Sequence, residues 1–287
     1  MQPDPSYAKA LPILLQPHRA VEFWLIGCGG TGGWLAPLLA RLLLALAETG
    51  VRASAVFSDP DRVEAANLLR QNFLPCEIGA NKAEVLATRY SLAYGLNLGA
   101  IASSFAAERV RPDWSTLAIL IGAVDNAAAR REIARTLPES DDPEDLPRRW
   151  WLDCGNFGEG ATAGQVLLGS SRSFNPNAAF NRLKDPNFVV RLPSPSLQHP
   201  QLLQPQPEEM DGISLSCTEI GLRNRQALFV NQRAAVEAIE MLSQLVLTKN
   251  LRRFATYFHG GAGSSRSLYT APSTLERYFR STTLGQS

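Results

Sequence analysis

Strand-length and helix-length apolar patterns alternate along most of this chain. Glu22–Ile26 is a short apolar run, Trp34–Ala47 a Leu- and Ala-rich stretch of helical length, and Arg52–Ser58 alternates apolar with polar residues up to Asp59. Asn81–Leu96 predicts another helix, Gly99–Phe105 another strand, and Leu117–Val124 a continuous apolar strand buried on both faces, with Asp125 at its end. A helix over Ala127–Leu137 and an acidic, solvated loop over Glu139–Asp145 precede two further predicted strands, Trp150–Cys154 and Thr162–Leu168. Strands alternating with helices in this way predict an α/β fold, Rossmann-like and doubly wound around a mostly parallel sheet. One stretch tests that reading. Phe23–Ala40 is uncharged over 18 residues, long enough by count for a membrane span, but five glycines and Pro37 put a loop in its middle.

The second half changes character. Ser171–Gly212 holds seven of the 19 prolines and no sustained period, so it predicts a long irregular crossover loop, functional or mobile. A helix from about Thr218 to Leu247 comes next, with Leu228, Ala235, Ile239, Leu242 and Val246 as one apolar stripe. Ala255–Ala271 then folds as a β-hairpin around Gly260–Gly263. The expected organisation is an N-terminal arm over 1–20, a nucleotide-binding domain over 21–170, a Pro-rich crossover over 171–212, and a C-terminal helix and hairpin over 213–287 that complete the same domain.

Candidate chemistry begins at Gly27-Cys28-Gly29-Gly30-Thr31-Gly32, between a predicted strand and a predicted helix. There, glycines allow close approach, and backbone N–H groups at a helix N-terminus face an anionic phosphate. The acid at the end of the next strand, Asp59, lies 27 positions past Gly32, the longer helix accounting for the spacing. The segment beyond that strand is unlike a dehydrogenase. Asp59 to Gln71 packs Asp61, Arg62, Glu64, Asn67, Arg70 and Gln71 into 13 residues, a polar cluster with no use in a redox fold and an evident one where a triphosphate is cleaved. Asp61 and Glu64 read as charge balance or caps.

Composition narrows the classes. The 287 residues carry 28 Lys+Arg against 27 Asp+Glu, a net charge of +1, which lacks the basic excess of a nucleic-acid binder. Hydrophobic residues make up 45% and charged residues 19%, the balance of a globular chain. The four cysteines, Cys28, Cys76, Cys154 and Cys217, show no zinc or redox spacing and point to a reduced, cytoplasmic protein, and with the Phe23–Ala40 span rejected no membrane association is expected. His18, His199 and His259 are scattered, and Trp24, Trp34, Trp114, Trp150 and Trp151 suit a core or a subunit interface.

The glycine turn, Asp59–Gln71, Gly79-Ala80-Asn81-Lys82 and Val124-Asp125-Asn126 together resemble the ThiF/MoeB family, which includes the adenylation domains of ubiquitin-activating enzymes. The four blocks match in order and spacing over roughly residues 20 to 130. The chain is also similar to the ThiF-type proteins of PRTRC gene clusters. The resemblance implies an ATP-dependent adenylyltransferase that activates the C-terminal carboxylate of a small ubiquitin-like partner, with magnesium, as a homodimer. It implies nucleotide binding by Gly27, Gly29, Gly30 and Gly32, ribose contacts from Asp59, and phosphate contacts from Asn67, Arg70, Gln71 and Lys82. Asp125 would hold the magnesium. Arg130, on the next helix, is a weaker candidate or a solvent-facing residue.

Cys217 matches the position of a reactive cysteine in the sulfur-carrier branch, where a helix start would favour its thiolate. The alternative is a small residue packed against the sheet; Cys28, Cys76 and Cys154 read as structural. The chain departs from the family in having no CxxC pairs, so no zinc is expected, and in offering only Lys9 and Arg19 upstream of the first strand. The competing functions are adenylation of a small-molecule or peptide carboxylate, a nucleotide-binding assembly factor without turnover, and a dehydrogenase.

Overall fold

The computed structural model describes residues 4–111, 113–139, 146–157, 162–173, 175, 179–180, 187–205 and 217–277. Eight strands form one sheet in the order β3-β2-β1-β4-β5-β6-β7-β8. They are β1 (Ala20–Ile26), β2 (Arg52–Ser58), β3 (Gly99–Ile101), β4 (Thr116–Gly122), β5 (Arg149–Phe157), β6 (Ala163–Gly169), β7 (Arg253–His259) and β8 (Ser264–Tyr269). The first five run parallel and the last three are added antiparallel. Because β1 lies between β2 and β4, the chain leaves it in one direction and returns on the other side, which opens a crevice at the carboxyl ends of these strands.

Alternation along the strands buries both faces. Phe23 and Leu25 of β1 point into one apolar cluster, Trp24 and Ile26 into another. The first cluster is covered by α2 (Gly30–Glu48), α3 (Lys82–Tyr94) and α6 (Cys217–Val246), the second by α4 (Ala127–Arg135). Two short helices are α1 (Pro5–Ala8) and α5 (Pro195–Gln198), and residues 272–277 are helical as well. By length and composition α2 is a helix that could cross a membrane. Here Leu35, Leu39, Leu42, Leu43 and Leu46 are buried in the core beneath α6.

Local chemistry explains most element ends. Asn81 caps α3 by accepting from Ala83 and Glu84 N–H, and Gly95 ends it in the left-handed region at φ 66°. α2 starts at Gly30 rather than Trp34, since the glycine turn runs directly into the helix. Pro37 then sits inside that helix, and without an N–H it leaves the Gly33 carbonyl unserved. The Asn72 side chain takes over, donating to Gly33 O at 3.1 Å and to Tyr90 Oη at 2.9 Å.

One expectation needs revision. β4 ends at Gly122, so Asp125 stands three residues past the strand, in the loop before α4. The described part of Ser171–Gly212 carries only short helical turns and isolated bridges, and is packed into the fold. Val189, Val190, Leu192 and Ser194 are buried, Val189 bridges to Ile13, and Gln198 Nε2 donates to Leu168 O and Pro193 O, both at 2.9 Å. Residues 174, 176–178, 181–186 and 206–212 of the crossover, and 140–145 of the acidic loop, lie outside the described residues.

Replacing Asn72 with Ala strands the Gly33 carbonyl that Pro37 cannot satisfy. Asn72→Ala is expected to destabilise the fold by about 1–2 kcal/mol, read as a lowered midpoint in urea unfolding with an unchanged slope.

Candidate active site

The carboxyl ends of β1, β2 and β4 bring together most of the residues singled out in the sequence. After β1, the backbone folds so tightly on itself that a Cβ at Gly32 would stand 1.9 Å from Gly27 O. Gly27 itself has φ 89°, and a side chain there would meet Ala123 O at 2.6 Å. Only glycine fits either position. The result is a helix N-terminus with backbone N–H groups left over in its first turn, capped by Gly29 with no side-chain hydrogen bond.

Asp59, one residue past β2, closes this turn from the neighbouring strand. Its Oδ2 accepts from Cys28 N–H at 2.6 Å and its Oδ1 from Asp61 N–H at 2.8 Å. The residue is buried, and burial pushes its carboxyl above the usual carboxylate range despite those two N–H bonds. Burial also raises the Cys28 thiol well above its ordinary value, so that residue is a packed part of the turn and not a nucleophile.

The polar cluster is held against the turn from several sides. Trp34 Nε1 donates to Arg70 O at 3.2 Å, Arg89 Nη1 donates to Asn72 O at 2.9 Å, and Asn81 Nδ2 donates to Asp59 O at 2.8 Å and Asp61 O at 3.0 Å. Within this frame Arg70 Nε and Gln71 Oε1 are buried without a hydrogen-bond partner. The Gln71 amide nitrogen is the nearest atom to Gly29, 3.7 Å from where a Cβ would stand. Asn67 is buried too, its Oδ1 accepting from Glu64 N–H at 3.0 Å.

Lys82 is the first residue of α3, where the helix dipole disfavours a cation. It is nonetheless buried, and its Nζ reaches the exposed Asp61 Oδ2 at 2.9 Å. A lysine placed against the dipole, in direct contact with a solvent-facing carboxylate and within electrostatic reach of the buried Asp59, can exchange its exposed partner for another anion. Asp125 is exposed between β4 and α4. It does not cap α4, because Asn126 does so by accepting from Ala129 N–H at 2.9 Å. Its carboxylate is therefore available at the mouth of the crevice.

Arg130, expected to be a weak candidate or solvent-facing, is buried. Its Nε donates to Asp153 Oδ1 at 3.2 Å, and the Asp153 side chain is fully buried in β5. Burial raises the Asp153 carboxyl above its ordinary value, with Arg130 opposing. A Cβ at Gly122 would meet Asp153 Oδ1 at 3.1 Å and Trp151 Nε1 at 3.0 Å, so the glycine ending β4 makes room for this pair. The pair ties α4, and with it the loop carrying Asp125, to β5.

Asp153, Asn81, Asn156 and Asn231 are contributors the sequence reading did not assign. An acid in an otherwise apolar strand signalled Asp153, and an Asn before a helical pattern signalled Asn81 as a cap. Asn231 lies in mid-helix with no local signal. Cys217 is the first residue of α6; its side chain lies outside the described residues. Fourteen residues, about 21 Å of helix rise, separate it from Asn231, which touches the glycine turn. Cys154 is buried in β5, Cys76 is exposed, and Trp114, expected in a core or interface, is 68% exposed.

Residues 14–143 match the ThiF family, and that stretch includes the glycine turn, Asp59–Gln71, Lys82 and Asp125. No curated protein matches the chain in sequence. Among solved structures it is similar to PaaA, with 14% identity and a TM-score of 0.52 over 87% of this chain and 64% of that one. It is likewise similar to E. coli MccB solved with ATP (16%, TM-score 0.51, 87% of this chain and 63% of that one). E. coli MccB solved with AMPCPP and MccA gives 15%, a TM-score of 0.51, 93% of this chain and 66% of that one. The chain spans just under two thirds of the length of these proteins, and at such identities the likeness is one of fold.

Removing one partner of the Arg130–Asp153 pair leaves a buried charge alone. Asp153→Ala is expected to cost about 3–5 kcal/mol of stability, while Asp153→Asn, which keeps an oxygen for Arg130, costs less. Because burial raises the Asp153 pKa in the fold, the ionised form is the disfavoured one. Wild type should therefore lose stability relative to Asp153→Asn as pH rises through the acidic range, which parallel unfolding curves would read.

Proposed function

We propose that this chain, whose residues 14–143 form a ThiF-family segment, is an ATP-dependent adenylyltransferase that activates the C-terminal carboxylate of a small ubiquitin-like protein. The observation that carries the reading is a buried donor, Arg70 Nε, with no partner among the described residues, together with the Gln71 amide nitrogen beside Gly29 of a glycine turn at a helix N-terminus. A buried donor without a partner is costly, and a phosphate oxygen would supply the acceptor that Arg70 Nε lacks. Further support comes from the fold shared with MccB, which is solved with ATP and with MccA.

The chemistry assigns each group a task. An oxygen of the carrier carboxylate attacks the α-phosphorus of ATP, the bond from that phosphorus to the bridging oxygen breaks, and pyrophosphate leaves with the electron pair. Negative charge grows on the leaving phosphates, so donors fixed around them stabilise the transition state more than the ground state. Arg70 offers a planar fork to spread that charge. Lys82 exchanges Asp61 for a phosphate oxygen. Asn67 and Gln71 support the phosphates, and Asp59 receives the ribose hydroxyls at the end of β2. Magnesium, when bound, neutralises phosphate charge. Asp125 would hold it, with phosphate oxygens and water completing an oxygen shell.

Thiol transfer after adenylation is a separate step. With about 21 Å of helix between Cys217 and the turn, the activation step has no need of that thiol, and transfer would require the start of α6 to unwind or the carrier to move. A homodimer in the reducing cytoplasm completes the reading.

ATP–pyrophosphate exchange tests it. Exchange that depends on a carrier ending in a free glycine carboxylate supports the proposal. Exchange with small carboxylates alone would replace the protein carrier with a small substrate, and ATP binding without exchange would make the chain a non-turnover factor. Arg70→Ala and Asp125→Ala are each expected to slow exchange by about 10²–10³-fold with little change in melting temperature, and wild-type rates in either would remove that residue from the mechanism. Cys217→Ala should keep exchange while losing any thiol adduct seen by mass spectrometry.

A further inference from the structure

The two ends of one buried amide face different surroundings. Asn231, on α6, is 3% exposed. Its Oδ1 accepts from Thr31 Oγ1 at 3.3 Å and from Asn156 Nδ2, so the carbonyl end joins the crossover helix to the glycine turn and to β5. Its Nδ2 has no partner among the described residues. That nitrogen lies instead over Gly30, the first residue of α2, 2.4 Å from where a Cβ would stand. The donor therefore points at the helix N-terminus whose first-turn N–H groups are themselves unpaired.

We propose that Asn231 is a nucleotide-binding residue, its Nδ2 donating to a phosphate oxygen held at the glycine turn. The inference rests on the proposed function, in which this turn holds ATP. It adds to that site a ligand from the far half of the chain, 200 residues beyond Thr31. An amide that only bridged Thr31 and Asn156 would use its oxygen alone, and a carboxylate would serve equally well. The donor half is what distinguishes Asn from Asp at this position, and next to a cluster of N–H groups an anion is the acceptor that serves both the amide and its neighbours. Phosphate binding would thereby draw α6 onto the turn.

Calorimetric titration of Mg·ATP into wild type, Asn231→Asp, Asn231→Ala and Asn156→Ala separates the possibilities. Asn231→Asp keeps both accepted hydrogen bonds and is expected to fold as wild type while binding ATP at least tenfold more weakly, since a charge-assisted donor is replaced by a repelling oxygen. Asn231→Ala should weaken binding about fivefold or more, and Asn156→Ala, which loosens the bridge but spares the donor, by no more than about twofold. Wild-type affinity in Asn231→Asp would overturn the assignment, as would equal losses in Asn231→Ala and Asn156→Ala, which also decide the matter should Asn231→Asp fail to fold. An absence of ATP binding by wild type would instead overturn the nucleotide reading on which the assignment rests.

Discussion

The tightness of the backbone after β1 governs everything at this end of the sheet. Gly32 approaches Gly27 O so closely that no side chain can stand between them, and Gly27 turns through φ 89° against the Ala123 carbonyl. This contact aims the start of α2 at the crevice beside β4. Once the helix points there, its first N–H groups have no internal partner and form an anion site by geometry alone. Asp59 fixes the turn in place through the Cys28 N–H, at the cost of burying a carboxyl that would rather be hydrated.

Around this turn the protein leaves polar groups incompletely satisfied while satisfying the scaffold behind them. Asn81 and Trp34 donate to backbone carbonyls of the Asp59–Gln71 segment, while Asn72 and Arg89 donate to the carbonyls of Gly33 and Asn72 that flank it. Arg70 Nε and Gln71 Oε1, a few residues away, have no hydrogen-bond partner among the described residues. Lys82, set against its helix dipole and held by one exposed acid, adds a cation at low electrostatic cost of release.

The supports of the site come from both faces of the sheet. On one, the Arg130–Asp153 pair joins α4 to β5 beneath the loop bearing Asp125. On the other, Asn231 brings α6 onto the first turn of α2. Neither pairing is local in sequence, yet each holds a loop that carries a charged or donor group. The site is thus stiff where it must be in register and open where a ligand would bind.

Periodicity and punctuation in the sequence determined the alternation of strands and helices, the hairpin around Gly260–Gly263 and the glycine turn, because these depend on neighbours a few residues apart. The clustering of Asp59, Asn67, Arg70 and Gln71 was legible for the same reason, lying within 13 residues after one strand. Boundaries were less so: α2 begins at Gly30 because the turn's own compactness makes its glycines helical, and Pro37 is tolerated only because Asn72, 39 residues from Gly33, serves the orphaned carbonyl. The burial of 189–198 was hidden behind its prolines, since its packing comes from Ile13, Leu168 and other distant partners. Arg130 could not be told from a surface arginine until β5 placed Asp153 beside it, and Asn231 is an unremarked mid-helix amide until α6 lies along α2. Charge pairing and donor orientation depend on atoms a few ångströms apart across elements far separated in the chain, and only the assembled sheet brings those atoms together.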